Sequence, residues 1–108
     1  MEFVTLIVNE FSSNELFNVD KIYAIGISNG AGLANKIGKE TAIFKGIAPL
    51  ISQQTEEIGA IVPSSPMSVF QVGGTEDGLV PINGGNGVAG HIFMSAAESA
   101  ENWASSFN

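Results

Sequence analysis

A serine between two glycines joins an apolar run to an alanine-rich segment, and this junction constrains the fold more than any other stretch. Residues 21–32 read Lys-Ile-Tyr-Ala-Ile-Gly-Ile-Ser-Asn-Gly-Ala-Gly, with the pattern Gly26-x-Ser28-x-Gly30 at the centre. The pattern predicts a strand, a sharp turn and a helix, with Ser28 at the apex of the turn. We expect glycine at positions 26 and 30 because side chains there would clash with the backbone that passes beside them.

Composition and charge narrow the class of protein. The chain has 108 residues, of which 44% are hydrophobic and 14% are charged, so we expect one globular domain. The mean hydropathy of +0.25 indicates elements that need more burial than so small a domain provides. Four lysines stand against eleven acidic residues, a net charge of −7, which argues against nucleic acids and anionic membranes as partners.

Several residue types and segments are absent from the sequence. The chain has no cysteine and one histidine, which excludes disulfides and the usual zinc-ligand clusters, and we predict no cofactor. No run is long enough to span a membrane, and the first residues do not resemble a signal peptide. We therefore expect either a cytoplasmic protein or a targeting segment that lies outside this sequence.

Hydrophobic periodicity predicts that helices and strands alternate along the chain. The predicted helices are 2–17, 29–40 and 95–107, the strands are 21–27, 44–51 and 67–73, and the loops are 52–66, with a helical turn near 55–58, and 74–90. Ser95 and Glu98 have the spacing of a capping box. This order predicts an α/β fold in which helices flank a short three-stranded parallel sheet.

The same periodicity predicts which residues are buried. The continuous apolar run of the first strand is typical of a parallel strand that is covered on both faces. The buried face of the second helix is predicted to comprise Ala31, Leu33, Ala34 and Ile37. That of the last helix is predicted to comprise Ala96, Ala100, Trp103, Ala104 and Phe107, although Trp103 and Phe107 would also suit a binding surface.

Ser28 is the first candidate for chemistry. A serine at such an apex is exposed for nucleophilic attack, and the backbone N–H of Asn29 can then donate a hydrogen bond to the oxyanion. The N-terminus of the following helix adds a favourable field at that point. The alternative is a tight strand-to-helix turn that has no catalytic role.

An aspartate and a histidine are the candidate partners of Ser28. Asp77 follows the third strand, so parallel strands would bring it to the same edge of the sheet as Ser28, where a triad acid belongs. Its alternative is a surface Asp-Gly turn, and Asp20 is interpreted as a turn residue. His91 has no strand between it and Asp77, so its position favours a surface residue over a catalytic base.

Several segments together resemble the polyhydroxybutyrate-depolymerase and feruloyl-esterase-like group of α/β-hydrolases. Residues 18–31, ending in Ser-Asn-Gly-Ala, resemble the nucleophile segment of the group, and 44–49 resemble its next strand. Residues 74–81, Gly-Thr-Glu-Asp-Gly-Leu-Val-Pro, resemble its acid loop, with Gly-Gly at 84–85 after it. Residues 95–103 resemble the helix beyond that loop, in which a tryptophan is usual.

The resemblance implies a single truncated α/β-hydrolase domain over residues 1–108. It implies Ser28 as nucleophile, Asp77 as triad acid and Asn29 as an oxyanion donor, but it gives His91 no role. The group's histidine segment and its second oxyanion loop have no counterpart here.

We therefore expect a carboxylic ester hydrolase for polyester, feruloyl or acetyl esters, with little activity on its own. The alternative is a non-catalytic interaction module. Uncovered sheet edges predict self-association or a complementing chain, and the resemblance implies an extracellular protein.

Overall fold

The computed structural model describes residues 1–107, and three parallel strands form its centre. The helices are α1 (Glu2–Ser12), α2 (Asn29–Glu40), α3 (Glu56–Gly59) and α4 (Ala96–Ser105), with a 3-10 turn at Val88–Gly90. The strands are β1 (Tyr23–Ile27), β2 (Gly46–Leu50), β3 (Ser68–Val69), β4 (Gly85–Asn86) and β5 (Ile92–Phe93). Within residues 1–107 no helix combines the length and the apolar character that a bilayer crossing requires.

The main sheet has the order β1-β2-β3 with β2 in the centre, and both pairings are parallel. Ile27 pairs with Leu50, and an isolated bridge joins Leu50 to Val72 beyond the end of β3. The carboxyl ends of all three strands therefore lie along one edge. The predicted three-stranded parallel sheet and α/β class are confirmed, although β3 is shorter than the predicted 67–73 strand.

One face of the sheet carries the hydrophobic core. Ile37 of α2, Phe44, Ile47 of β2 and Trp103 of α4 form its buried cluster. The prediction for α2 was wrong at Leu33, which is exposed.

The opposite face of the sheet is bare. Tyr23, Ile25 and Ile27 of β1 are 63%, 73% and 61% exposed. Ile25 pairs in register with Ala48 of β2, and Phe70, on the far side of β2, lines the same surface. We call these five residues the open sheet face. The prediction that β1 is covered on both faces was therefore wrong within residues 1–107, because every described helix that packs on the sheet lies on the other side.

Helix α1 ends earlier than its apolar pattern predicts. It stops at Ser12 rather than residue 17, because the Asn14 side chain accepts a hydrogen bond from the N–H of Leu16 and so forms a turn. Asn18 forms a second such turn with the N–H of Asp20, before β1 begins. None of the residues of α1 is buried. Phe3 and Leu6 are 74% and 58% exposed.

The predicted loop at 74–90 contains an element that the sequence did not indicate. Strand β4 pairs antiparallel with β5, and the backbone N–H of Gly87 donates to His91 O at 2.9 Å. The pairing is two residues long and has no hydrophobic alternation to reveal it. The predicted turn near 55–58 corresponds to α3, which Thr55 caps through its side chain.

Helix α4 begins at the predicted capping box. The Ser95 hydroxyl accepts from the N–H of Glu98 at 3.1 Å, and the Glu98 carboxylate accepts from the N–H of Ser95 at 2.9 Å. The predicted buried stripe was wrong in part: Ala100 and Ala104 are exposed. The buried residues are Ser99 and Trp103, so Trp103 belongs to the core.

Candidate active site at the carboxyl edge of the sheet

Ser28 forms the turn between β1 and α2 in a strained backbone conformation. Its φ of 55° and ψ of −115° lie outside the regions that are open to most L-residues, and the side chain is exposed. The Ser28 N–H donates to the carbonyl of Leu50 at 2.9 Å, which fixes the turn to the end of β2. Such strain persists only where surrounding structure holds it in place, and it projects the hydroxyl away from the sheet edge.

The two glycines around Ser28 have different roles. A Cβ at position 26 would overlap the Gly30 carbonyl and lie 2.7 Å from Ala31 N, so no side chain fits there. A Cβ at position 30 would have no such neighbour within 4 Å. The expected clash at Gly26 is therefore observed, whereas the one at Gly30 is wrong: Gly30 contributes the backbone that crowds Gly26.

The backbone around Ser28 also begins helix α2. The Ser28 carbonyl accepts from the N–H groups of Ala31 at 2.9 Å and Gly32 at 3.4 Å. Asn29 is the first residue of the helix, where backbone N–H groups have no intrahelical acceptor. Its N–H and the positive end of the helix dipole suit an anion that develops beside Ser28.

Asp77 lies beyond the carboxyl end of the third strand, in a turn. Its Oδ1 accepts from the N–H groups of Leu79 at 2.8 Å and Val80 at 2.9 Å. These two hydrogen bonds hold the pKa of the Asp77 carboxyl below its usual value, and the bond from Val80 has the larger effect. The carboxyl is thus an anion at neutral pH. The turn itself matches the alternative interpretation of Asp77, and its position at the edge is also the one that a triad acid requires.

The register relates Ser28 to the acid loop. Ser28 follows β1 on one side of the central strand β2. On the other side of β2, Val72 is bridged to Leu50, and the acid loop begins there at Gly73. Neighbouring strands are about 4.8 Å apart, which places the starts of the two loops about 10 Å apart on the same edge.

His91 belongs to the turn that joins β4 and β5. Its side chain is exposed, and its ring lies edge-on to Phe93 with the centroids 6.1 Å apart. Within residues 1–107, neither the His91 ring nor the Ser28 hydroxyl makes a hydrogen bond. The structure thus brings Ser28 and Asp77 to one edge and does not join His91 to either.

A buried polar network lies behind this edge, and the sequence analysis missed it. The Gln53 side chain donates to Pro81 O at 2.7 Å and to Met94 O at 3.0 Å. The Gln54 side chain donates to the carbonyl and hydroxyl oxygens of Ser99 at 2.9 Å and 3.1 Å. A polar run after a strand is typical of an exposed loop, so no local signal predicts that these glutamines are buried.

A buried lysine joins three parts of the structure. Lys39 Nζ donates to the carbonyls of Gly59 and Ile61 at 3.1 Å and 3.0 Å and to Asn102 Oδ1 at 2.7 Å. It lies 5.3 Å from the centroid of the Trp103 ring. Desolvation by burial lowers the pKa of Lys39 to about 8. We assign Lys39 a structural role, because its amine holds α2, the segment 59–61 and α4 together and contacts no residue at the edge that carries Ser28.

In the described part of the chain, no three His, Asp or Glu side chains lie close enough together to hold a metal ion. The distinctive features of this part are a parallel sheet, a strained exposed serine between a strand and a helix, and an aspartate on the same edge. These features define an α/β protein with a candidate nucleophilic serine.

Comparison with known proteins points to esterases. The chain is 30% identical to Feruloyl esterase B of Piromyces equi over 112 aligned positions, which is 96% of this chain and 21% of that protein. It is 28% identical to Putative esterase NocK of Nocardia uniformis subsp. tsuyamanensis over 85 positions, which is 78% of this chain and 25% of that protein. The chain thus spans between a fifth and a quarter of the length of these relatives. No protein-family model matches it, and no solved structure matches it significantly.

Proposed function

We propose that the chain carries part of the catalytic machinery of a serine-type carboxylic ester hydrolase. Ser28 is the nucleophile, the Asn29 N–H donates to the oxyanion, and Asp77 is the triad acid. The backbone of Ser28 carries the proposal, because φ 55° and ψ −115° at a strand–helix junction present a hydroxyl to solvent beside free helix N–H groups. The similarity to two proteins with esterase names supports the same reaction class.

The chemistry follows from these positions. Ser28 Oγ attacks the ester carbonyl carbon and gives its proton to a base, while the Asn29 N–H stabilises the negative charge on the carbonyl oxygen. Collapse of that intermediate breaks the bond to the alcohol, which leaves with a proton, and water later releases the acyl group from Ser28. The anionic Asp77 would orient the base and stabilise its protonated form.

Within residues 1–107, no base is hydrogen-bonded to the Ser28 hydroxyl. His91 is the one histidine of the chain, and it stands in a separate hairpin without a hydrogen bond to Asp77 within residues 1–107. Removal of the base from such a triad eliminates most of the rate. We therefore propose that this chain alone hydrolyses esters slowly or not at all, as expected of one piece of a larger α/β-hydrolase domain.

The substrate class is also a proposal. Polyester, feruloyl and acetylated substrates are the three that the sequence resemblance implies. The name of the Piromyces relative favours feruloyl esters among them. The substrate would approach the carboxyl edge of the sheet, where Ser28 is exposed.

Covalent labelling tests the nucleophile directly. An alkyl fluorophosphonate should lose fluoride and form a bond between phosphorus and Ser28 Oγ, which peptide mass spectrometry would locate. Labelling should disappear in Ser28→Ala and in heat-denatured protein, and it should persist in the matched variant Ser13→Ala, which removes an exposed serine after α1. Labelling should be slow, because no base is positioned beside Ser28, but it should be specific to that residue. Labelling of Ser28 no faster than that of other exposed serines such as Ser13 would contradict the proposal.

Hydrolysis of p-nitrophenyl acetate tests the base. We expect a rate far below that of ordinary esterases, with a remainder that depends on Ser28. If the rate were ordinary and His91→Ala abolished it, His91 would be the base and the proposed low activity would be wrong.

The open sheet face favours a second candidate function, a non-catalytic interaction module derived from an esterase. Ile25 and Phe70 on that face are 73% and 68% exposed, which is typical of a surface that another chain or a second copy covers. A folded protein that self-associates but leaves Ser28 unlabelled would favour the module over the hydrolase.

A further inference from the structure

Ile51 has an unfavourable backbone conformation at the edge of the sheet. Its φ is 53°, in the left-handed region that β-branched residues rarely occupy. Glycine would adopt this conformation without strain, yet the position carries a large apolar side chain that is 45% exposed. Strain of this kind is found where surrounding structure imposes it, frequently at ligand sites.

The hydrogen bonds around Ile51 place it between the two loops of the candidate site. The carbonyl of Leu50, immediately before it, accepts from Ser28 N–H at 2.9 Å, and the N–H of Ile51 itself donates to Val72 O at 2.7 Å. Ile51 therefore follows the central strand, flanked by the Ser28 turn on one side and the strand that leads to Asp77 on the other. One strand spacing, about 5 Å, separates its backbone from that of Ser28.

The segment after Ile51 is anchored inside the protein. Ser52, Gln53 and Gln54 are 4%, 2% and 0% exposed. The Gln53 side chain bonds to two carbonyl oxygens, and the Gln54 N–H donates to the hydroxyl of Ser99 at 3.2 Å. Ile51 is thus a single exposed apolar residue between a strand and a buried segment, held at both ends beside the candidate nucleophile.

We propose that Ile51 is a specificity-determining residue that contacts the acyl group of the ester that Ser28 attacks. This inference rests on the proposed function. It assigns to the site acyl groups with an apolar part of several carbons, as in longer aliphatic or aromatic esters, in preference to acetyl groups. The contact would bury apolar surface of both the acyl chain and Ile51.

A binding experiment tests this role without catalysis. In the Ser28→Ala background, hexanoate and acetate are titrated against the full chain, and NMR chemical shifts give the dissociation constants. We expect hexanoate to bind more tightly than acetate, and Ile51→Ala to weaken hexanoate about fivefold with no change for acetate. Leu16→Ala removes a 94% exposed apolar side chain from the loop that precedes β1 and is the matched control, with no change expected.

A second variant distinguishes loss of the Ile51 contact from misfolding. Ile51→Gly removes the side chain and suits φ 53°, so the fold and the melting temperature should be retained while the preference for hexanoate is lost. Equal hexanoate affinity in the parent and in both variants, or no hexanoate binding by the folded parent, would overturn the proposal. Failure of Ser28 to react with the fluorophosphonate would instead overturn the proposed function, which the binding result does not decide.

Discussion

The carbonyl of Gly30 occupies the place where a Cβ on Gly26 would lie. The contact is between two backbone segments, the carboxyl end of β1 and the first turn of α2. Neither segment can move without loss of the Ser28 conformation. This contact explains why a side chain is excluded at position 26, and it makes the two glycines a matched pair for experiment.

Replacement of the two glycines by alanine should have opposite results. Gly26→Ala forces the Ser28 turn to open, and we expect a loss of about 3 kcal/mol or more in the free energy of unfolding. Gly30→Ala meets open space in the first turn of α2, and we expect a gain of about 0.5–1 kcal/mol. Urea unfolding measures both, and equal effects of the two substitutions would contradict this account of the turn.

Replacement of Gln53 should loosen the loop that contains Asp77. Gln53→Met keeps the volume but removes the donors to Pro81 O and Met94 O, and we expect a loss of about 1–3 kcal/mol. Hydrogen exchange at the Val80 N–H, which bonds to Asp77, should accelerate more than exchange in α2. An unchanged exchange rate at Val80 would show that Gln53 does not position the acid loop.

The buried amine of Lys39 should make stability depend on alkaline pH. Burial lowers the pKa of Lys39 to about 8, whereas the unfolded chain keeps a pKa near 10.5, so the unfolded state binds more protons between these values. The free energy of unfolding should therefore rise from pH 8 to 10.5, by up to about 1.4 kcal/mol per pH unit, and show no Lys39-dependent slope below pH 8.

The control for this prediction is a second lysine of the same helix. Lys39→Met should abolish the alkaline slope, while Lys36→Met, which removes an exposed partner of Glu40, should keep it. Chemical unfolding at a series of pH values gives both slopes. A wild-type protein whose stability is flat or falls over this range would contradict the lowered pKa.

Self-association should depend on the open sheet face. Ile25 lies in the middle of β1, an edge strand of the sheet, and we expect Ile25→Lys to shift the protein toward monomer in sedimentation velocity, because a charge on that face resists burial. Val62→Lys changes an 84% exposed residue outside the sheet and should leave association unchanged. A wild-type protein that remains monomeric at high concentration would count against this role of the face.

The candidate site was predictable from the sequence to the extent that it is local. The Ser28 turn, the Asp77 turn and the capping box at Ser95 each depend on residues a few positions apart. The prediction at Gly30 was wrong because the Gly-x-Ser-x-Gly pattern does not distinguish the glycine that lacks room from the one that supplies the crowding backbone.

The sequence by itself determined the order of helices and strands, the parallel sheet and the strand–serine–helix junction, because hydrophobic periodicity and short-range steric contacts specify them. Only the tertiary structure decided that Lys39, Gln53 and Gln54 are buried, since the acceptors of their side-chain donors include Asn102, Pro81 and Ser99, which lie 63, 28 and 45 positions away. The tertiary structure likewise decided the strained backbone of Ile51 and the bare face of β1. Each of these depends on which distant segments meet, and local sequence carries no record of such contacts.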